Sequence, residues 1–480
     1  MALVRNNLLV FCLFVSFFLS LATDWYLEIS VILFVVTVLA VLDKLGKGLV
    51  LRELIVLHTV FICLVMAEVG YQVYNYQNYL ARAFFKYMVV PEDVYFSYAL
   101  PAVTAFSIAM CWPIKHGREI LDEGPPLQRL LFNVKKTLHK FGRQGIPIVL
   151  VGIAMLFLAE RLPVGLQFFS TLFFFSSFAG VLYIYYAPTF RYKKLLLTLF
   201  TLFIVGGTIE SGVFTLIVYM GITIFSFLFL GKKLALWKKI LIFITGAFAL
   251  MVIQNVKGAY RQETWKDEDY AGNKYEVFGG IVADKVSDAA NLFNERNFFP
   301  IYMRANQGIN ISVVMRRIPA RQDFDGGNRI LLVTASAFVP RFLWPDKPEA
   351  GGRESMKYFT GMDIFGWSTN VGPLGEAYGS FGVMGGIIYM FFLGVFIRWT
   401  YKRLFVVSRK LPLIILWLPV LYYQVTSSME TDTLQILNSL LKGAFFLWLL
   451  YKIVPSWFGV SKKTMEVRPK PTIINQITTE

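Results

Sequence analysis

GPLGEAYGSFGVMGGIIYMFFLGVFIRWTYKRLFVVSRK, residues 372–410, opens polar and glycine-rich, runs apolar to Ile397 and closes on a basic turn. A helix drawn over 373–397 is long enough to cross a hydrocarbon core of about 30 Å. In lipid, the backbone polar groups must be satisfied inside the segment, so helix is the default for such a stretch. The composition extends this reading to the whole chain. Hydrophobic residues make up 56 % of the 480 residues and charged residues only 16 %, whereas about a quarter of an average soluble domain is charged. The fold class expected is all-α and polytopic.

Outward from that stretch, apolar spans are expected at 7–23, 28–42, 51–70, 94–113, 146–159, 165–187, 195–208, 212–230, 240–255, 373–397, 411–425 and 434–454, about twelve transmembrane helices. Lys and Arg gather in alternate connections: 43–47, 115–143, 191–194, 232–239 and 398–410. The intervening turns at 24–25, 160–163, 209–211 and 426–433 are nearly free of them. The positive-inside rule then puts both termini in the cytoplasm and the long polar segment, 257–372, outside. The net charge of +16 follows from this topology and does not indicate nucleic-acid binding. A basic tail with Lys462, Lys463, Arg468 and Lys470 suits anionic lipid. No small-residue cleavage site closes the first apolar stretch, and a second span follows at once, so it is expected to be retained. Cys12, Cys63 and Cys111 all fall in spans and suggest neither disulfides nor a thiolate metal site.

The expected division is spans one to nine over 1–256, a soluble-facing segment over 257–372, spans ten to twelve over 373–454 and a tail over 455–480. Within the first part, 115–145 reads as a cytoplasmic amphipathic helix lying on the inner leaflet, with Leu127, Leu130, Leu131, Val134 and Leu138 at helical spacing against Arg129, Lys135, Lys136 and Lys140. Residues 71–93 are rich in Tyr, Asn and Gln and read either as a sugar-facing ledge or as an interfacial aromatic belt. The long segment is too extended for an unstructured connection. Val277, Ile281, Val282, Val286, Ala289, Ala290 and Leu292 are spaced for helix, with an interruption expected at Pro300. Asp325-Gly326-Gly327 reads as a tight bend, and 329–342 as a half-buried helix.

Chemistry concentrates in this segment. It holds about fifteen Lys and Arg against about fourteen Asp and Glu, so clustering matters more than net charge. Arg316, Arg317 and Arg321 lie close together, Arg329 follows the bend, and Arg341 and Lys347 bracket Trp344. Guanidinium forks and ammonium groups suit phosphate oxygens; structural ion pairs with Asp323, Asp325, Asp346, Glu349 and Glu354 are the alternative. Trp344, Phe342, Tyr358, Phe359, Trp367 and Tyr378 can stack on sugar rings or anchor the segment at the interface. Glu376 sits just inside an apolar span, where an ionisable group is a functional candidate by default. Glu68, Glu210, Glu430 and Asp432 lie near outer span ends and are expected to line one cavity. His58, His116 and His139 all fall toward the cytoplasmic side, so any base on the outer face would be Asp or Glu. No phosphate-binding loop of the G-x-x-x-x-G-K-[ST] type is present and no zinc-ligand spacing occurs. A reaction outside the membrane without nucleotide needs an activated substrate, such as a polyprenyl-diphosphate-linked sugar.

An Arg-rich turn with Asp-Gly-Gly, then PRFLWPDKP (340–348), then GPLGEAYGSFGVMGG (372–386) entering a span resembles bacterial oligosaccharide repeat-unit polymerases of the Wzy type. The twelve spans with inward termini are similar to that family too. The resemblance of motif covers 316–386, and the stretches are shared in part with O-antigen ligases and other GT-C-like enzymes. It implies a GT-C-like fold with a large, partly helical periplasmic loop in the bacterial inner membrane, and transfer of a growing glycan from undecaprenyl diphosphate onto the next lipid-linked repeat unit. By position, Arg341, Lys347 and Glu376 match the family stretches, and Arg316 stands eleven residues before Gly327. The chain departs from the family at GGTIESG (206–212), where Glu210 stands in place of an expected base.

On this reading, Arg316, Arg317, Arg321, Arg341 and Lys347 hold the diphosphate, Glu376 or Asp325 accepts the proton of the attacking hydroxyl, and Trp344 and Tyr378 face sugar. The partners implied are donor and acceptor lipid-linked oligosaccharides, membrane lipid and a chain-length regulator protein. Neither metal nor cofactor is expected. The competing expectations are a ligase moving glycan to lipid A core or protein, and a flippase or other transporter of the same lipid.

Overall fold

The computed structural model describes residues 2–460 apart from 213, 266–271, 289–290, 292, 340, 342 and 366–368. Phe342, Trp367, Ala289, Ala290, Leu292 and the tail with Lys462, Lys463, Arg468 and Lys470 lie outside the described residues. Nearly everything described is helix. α1 (Ala2–Ala22) and α2 (Tyr26–Lys44) open the chain, and α3 (Leu51–Val60) continues through a π-helical turn, Phe61–Val65, into α4 (Met66–Gln72). The short α5 (Tyr79–Ala83) precedes α6 (Glu92–Cys111) and a two-stranded hairpin, β1 (Lys115–His116) and β2 (Glu119–Ile120). Then come α7 (Gly124–Phe141), α8 (Gly145–Leu158), α9 (Val164–Tyr186), α10 (Lys193–Ser211), α11 (Thr215–Leu228) and α12 (Leu236–Thr264). The long segment supplies α13 (Lys274–Ser287), α14 (Glu295–Ala305), α15 (Gly308–Arg317), α16 (Asn328–Phe338) and α17 (Gly352–Thr360). α18 (Gly372–Ser408) is followed by α19 (Leu418–Tyr422), set between 3-10 turns Pro412–Trp417 and Val425–Glu430, and by α20 (Thr433–Ile453).

Among the described residues, ten helical stretches are long and apolar enough to cross a membrane. The protein is therefore an all-α polytopic membrane protein, with ten such stretches where twelve were expected. Each of the twelve expected regions holds helix, the eleventh largely as 3-10 turns, and the first and eighth are not among the ten. α1 has 21 residues, of which Leu8–Ala22 is an apolar helix, and α11 has 14, about 21 Å at the helical rise.

α18 packs along α6, and glycine makes the approach possible. A Cβ on Gly386 would lie 2.7 Å from the Tyr98 ring, and one on Gly394 2.8 Å from Ala109 Cβ. Both are helix-to-helix contacts, the close approach that small residues in a span allow.

The π turn opens the backbone of the third span. Tyr95 Oη donates to Cys63 O at 2.7 Å, and Gln307 N–H donates to Ile62 O at 3.1 Å. The long segment is thus hydrogen-bonded into the interior of a span at the head of α15. Such turns recur at functional sites.

Two surface readings change. The apolar stripe of α7, Leu127, Leu130, Val134 and Leu138, is buried against α9 and the Pro412–Trp417 turn, so this amphipathic helix spends its apolar face on protein instead of the inner leaflet. Residues 71–93 are more than a free ledge or belt, although Tyr76, Tyr79, Phe84 and Phe85 are exposed. Tyr74 Oη donates to Glu295 O at 2.7 Å, Tyr302 Oη donates to Lys86 O at 3.0 Å, and the Tyr74 and Tyr302 rings stack at 4.3 Å. The segment is the socket for α14.

Pro300 falls inside α14; the helix instead begins at Asn294, whose side chain accepts the Arg296 N–H at 3.3 Å. Gly326 and Gly327 take φ of +63° and +90°, making the expected bend. α16 is half-buried as expected, with Val333 and Ala337 against Leu434 and Leu331 and Phe338 exposed.

At the end of the bundle away from the long segment, charge is sealed in protein. Lys44 Nζ lies 2.8 Å from Glu53 Oε1 and 2.6 Å from Asp122 Oδ2, and Arg52 Nη2 lies 2.8 Å from Asp122 Oδ2. Arg52 also donates to the carbonyl oxygens of Met110 and Trp112. The network ties α2, α3, the end of α6 and the entry to α7.

Candidate functional site

The start of α18 is brought against the start of α20. Gly372 has φ +70°, and a Cβ there would stand 2.2 Å from Met429 O, so only glycine lets α18 begin at this place. Glu376, one turn on, is buried. Its Oε2 accepts the Thr433 N–H at 2.9 Å and its Oε1 accepts the Ser355 hydroxyl at 3.1 Å. Asp432, also buried, caps α20: Oδ1 accepts the Gln435 N–H at 2.6 Å. Its Oδ2 accepts the Gly351 N–H at 2.8 Å and the Asn370 amide at 3.3 Å. Burial pushes the Asp432 carboxyl above its ordinary value, against the pull of these donors and of Arg329. Two carboxylates from different helices thus occupy one buried pocket of hydrogen bonds, within electrostatic reach of each other.

Buried asparagine and glutamine extend the hydrogen-bond network from Asn370. Gln307 Nε2 donates to Asn370 O at 2.7 Å, and Asn310 Nδ2 donates to Thr369 Oγ1 at 2.8 Å and Asn370 O at 2.9 Å. Arg329 sits at the rim, with Nη2 2.9 Å from Glu354 Oε2 and its guanidinium over the Tyr358 ring at 5.2 Å.

Asp325, the other predicted base, is engaged in structure. It accepts the Gly327 N–H at 2.8 Å, the Arg329 N–H at 3.2 Å and the Tyr358 hydroxyl at 3.1 Å. Three donors on one carboxylate close the bend that starts α16. Of the two predicted carboxylates, Glu376 has the setting of a functional group.

The predicted basic cluster is divided. Arg316, Arg317 and Arg321 lie at the end of α15, whereas Arg341 and Lys347 lie beyond the far end of α16, a helix of 11 residues and so about 16 Å long. Arg317 donates to Gln322 Oε1 at 3.2 Å and Thr360 O at 3.4 Å. Arg316 and Arg321 are exposed and their side chains have no hydrogen-bond or ion-pair partner among the described residues. Lys347 Nζ donates to Ser336 O at 2.8 Å and Val339 O at 2.6 Å, closing the last carbonyls of α16. Arg341 donates to Pro345 O at 3.1 Å and faces Glu349 at 3.8 Å. Trp344 is half-buried beside this second group. Tyr378 is elsewhere, lining a cleft of about 530 Å³ with Asp24, Tyr26, Asp93, Ser97 and Met315.

The acidic residues near span ends do not share one cavity. Asp432 joins Glu376. Glu210 Oε1 pairs with Lys274 at 3.5 Å, and Glu68 lies with Glu92 and Glu28. Glu430 faces His58 Nε2 at 3.5 Å and Arg304 Nη2 at 2.6 Å. Through Glu430, His58 lies with Arg304 of the long segment, on that segment's side of the bundle and not on the side opposite it where the sequence reading places it. The straight helix expected over 411–425 is in fact broken into 3-10 turns around α19, with a non-helical Ser427, and it delivers Glu430 to the interior of α3. Ser355 carried no signal in the sequence. Arg304 was lost among other arginines because its partner is distant in the chain.

Fold and site together define a polytopic helical membrane protein whose long inter-span segment is anchored into the bundle over a buried carboxylate pair. Residues 130–405 match the family described as "Domain of unknown function (DUF8712)", more than half of the chain, and the protein belongs to that family. No curated protein matches the chain, and no solved structure does.

Proposed function

We propose that the protein is a GT-C-like membrane glycosyltransferase that polymerises undecaprenyl-diphosphate-linked oligosaccharide repeat units at the outer face of the bacterial inner membrane, building O-antigen, capsule or exopolysaccharide. The observation that carries this reading is the buried Glu376, held by Ser355 and Thr433 beside Asp432, in the stretch that resembles the Wzy-type polymerases. In the reaction, the acceptor sugar hydroxyl bonds to the anomeric carbon of the donor glycan. The bond from that carbon to the diphosphate oxygen breaks, and undecaprenyl diphosphate leaves with the electron pair. Glu376 accepts the hydroxyl proton, general-base work worth about 10² to 10⁴ in rate. Arg316 and Arg321, exposed at the end of α15, supply positive charge for one lipid diphosphate, and Arg341, beyond the far end of α16, for the other, since donor and acceptor each carry one. Lys347 acts on the same region by holding the end of α16. The alternating basic turns support cytoplasmic termini and an outward long segment.

Purified protein incubated in detergent with a lipid-diphosphate-linked repeat unit, without nucleotide, tests this. A ladder spaced by one repeat unit is the expected product. A single transfer to each acceptor assigns a ligase instead. Absence of transfer, with the repeat unit crossing a liposome bilayer, assigns a transporter.

A further inference from the structure

We propose that Lys257, Arg261 and Arg304 form an anion-binding crevice for a phosphate or diphosphate group, separate from the arginines at the ends of α15 and α16. Lys257 and Arg261 stand four residues apart on α12 and so share one face; α14 packs on α12 and brings Arg304 to that face. Lys257 lies within electrostatic reach of Arg261, Arg304 and Glu430.

The two arginines are fixed in place. Arg261 Nε and Nη2 donate to Gly212 O at 3.0 and 2.8 Å, and its guanidinium lies over the Trp265 ring at 4.1 Å. Arg304 is held by Glu430 at 2.6 Å, and Glu430 faces His58 at 3.5 Å. Lys257 differs from both. It is half-buried, and among the described residues its ammonium makes no hydrogen bond or ion pair.

A half-buried ammonium with no hydrogen-bonded counter-ion among the described residues is costly, and a neighbourhood with two more cations makes it costlier. A phosphate removes the penalty: its oxygens accept from the rotatable ammonium and from guanidinium edges, while Gly212, Trp265 and Glu430 keep the arginines pre-positioned. Phosphate carried on a lipid or free in solution would satisfy the same chemistry. Only the choice of a lipid carrier rests on the polymerase reading.

The test is binding to full-length protein in detergent micelles by titration calorimetry, with inorganic pyrophosphate, farnesyl diphosphate and farnesol as probes. Both diphosphates are expected to bind saturably and farnesol not to bind. Farnesyl diphosphate binding about tenfold or more tighter than pyrophosphate identifies a lipid headgroup, and equal affinities identify a free anion. Lys257→Met keeps the apolar stem and removes an unpartnered charge, so it is expected to melt no lower than wild type and to lose about tenfold or more in diphosphate affinity. Wild-type affinity in Lys257→Met overturns the proposal, as does the absence of saturable diphosphate binding to the wild type. Diphosphate binding that depends on Lys257 in a protein that makes no ladder sinks the polymerase reading and leaves the crevice standing.

Discussion

Glu376 Oε2 accepts the backbone N–H of Thr433 at 2.9 Å, across 57 residues of sequence, and so fastens the first turn of α18 to the first turn of α20. The same backbone placement sets Asp432 beside Glu376, because Thr433 follows it directly. One hydrogen bond therefore defines both the packing of two spans and the position of a carboxylate pair.

Glu376→Gln keeps the side-chain volume and an acceptor oxygen but cannot take a proton. It is expected to melt within a few degrees of wild type and to lose ladder synthesis by about 100-fold or more. Glu376→Ala leaves the buried Thr433 N–H without its acceptor, at about 1–3 kcal/mol, and lowers the melting temperature as well. Undiminished ladders in Glu376→Gln would remove the general-base role.

Lys347 and Arg341 separate stability from activity. Lys347→Ala uncaps the last carbonyls of α16 and is expected to cost about 1–3 kcal/mol, seen as a lower melting temperature. Arg341→Ala removes an exposed side chain, leaves the melting temperature unchanged and abolishes polymer. A wild-type distribution of chain lengths in Arg341→Ala contradicts a role for it at the diphosphate.

Burial alone would raise the Asp122 carboxyl, but the Arg52 and Lys44 charges overcome it and hold it down to about 2. A carboxyl depressed in the folded state contributes stability that is present above its unfolded value of about 4 and is lost as pH falls toward the folded value. Asp122→Asn, which leaves two buried cations short of a counter-charge, is expected to cost about 3–5 kcal/mol at pH 7. Melting curves of both proteins between pH 7 and pH 3 check this: the gap between them should hold to about pH 4 and narrow below it.

Gly382 interrupts α18 with φ +67° and ψ −160°, a region that only glycine occupies readily. Gly382→Ala is expected to cost about 1–3 kcal/mol from backbone strain, and its Cβ would also press on the Phe324 ring at 3.4 Å. Limited proteolysis of the 318–328 bend should quicken in this variant. An unchanged cleavage rate and melting temperature would show that the kink carries no strain for alanine.

Where the sequence was informative, the signal was local. The apolar runs located the ten candidate spans, the Asp-Gly-Gly bend fell at 325–327, and the lone carboxylate in the tenth span drew attention to Glu376. Where it misled, the answer lay in a distant partner. The stripe of α7 has the pattern of a lipid-facing helix, yet Leu127 and Leu138 meet α9 and the Pro412–Trp417 turn. Arg341 and Lys347 look like neighbours of Arg316 in sequence, but the whole of α16 lies between them. Asp325 reads as a free acid until its three donors are counted.

The sequence by itself determined that the chain is a helical membrane protein and where its helices run, because transfer into hydrocarbon depends on the apolar length and composition of each segment alone. Only the tertiary structure decided which charges meet. The pairing of Glu376 with Asp432, of Glu430 with His58 and Arg304, and of Lys257 with two arginines depends on how a π turn, a broken span and glycine contacts set the helices against one another. Side chains within hydrogen-bond reach after folding come from segments whose order in the chain carries no record of that distance.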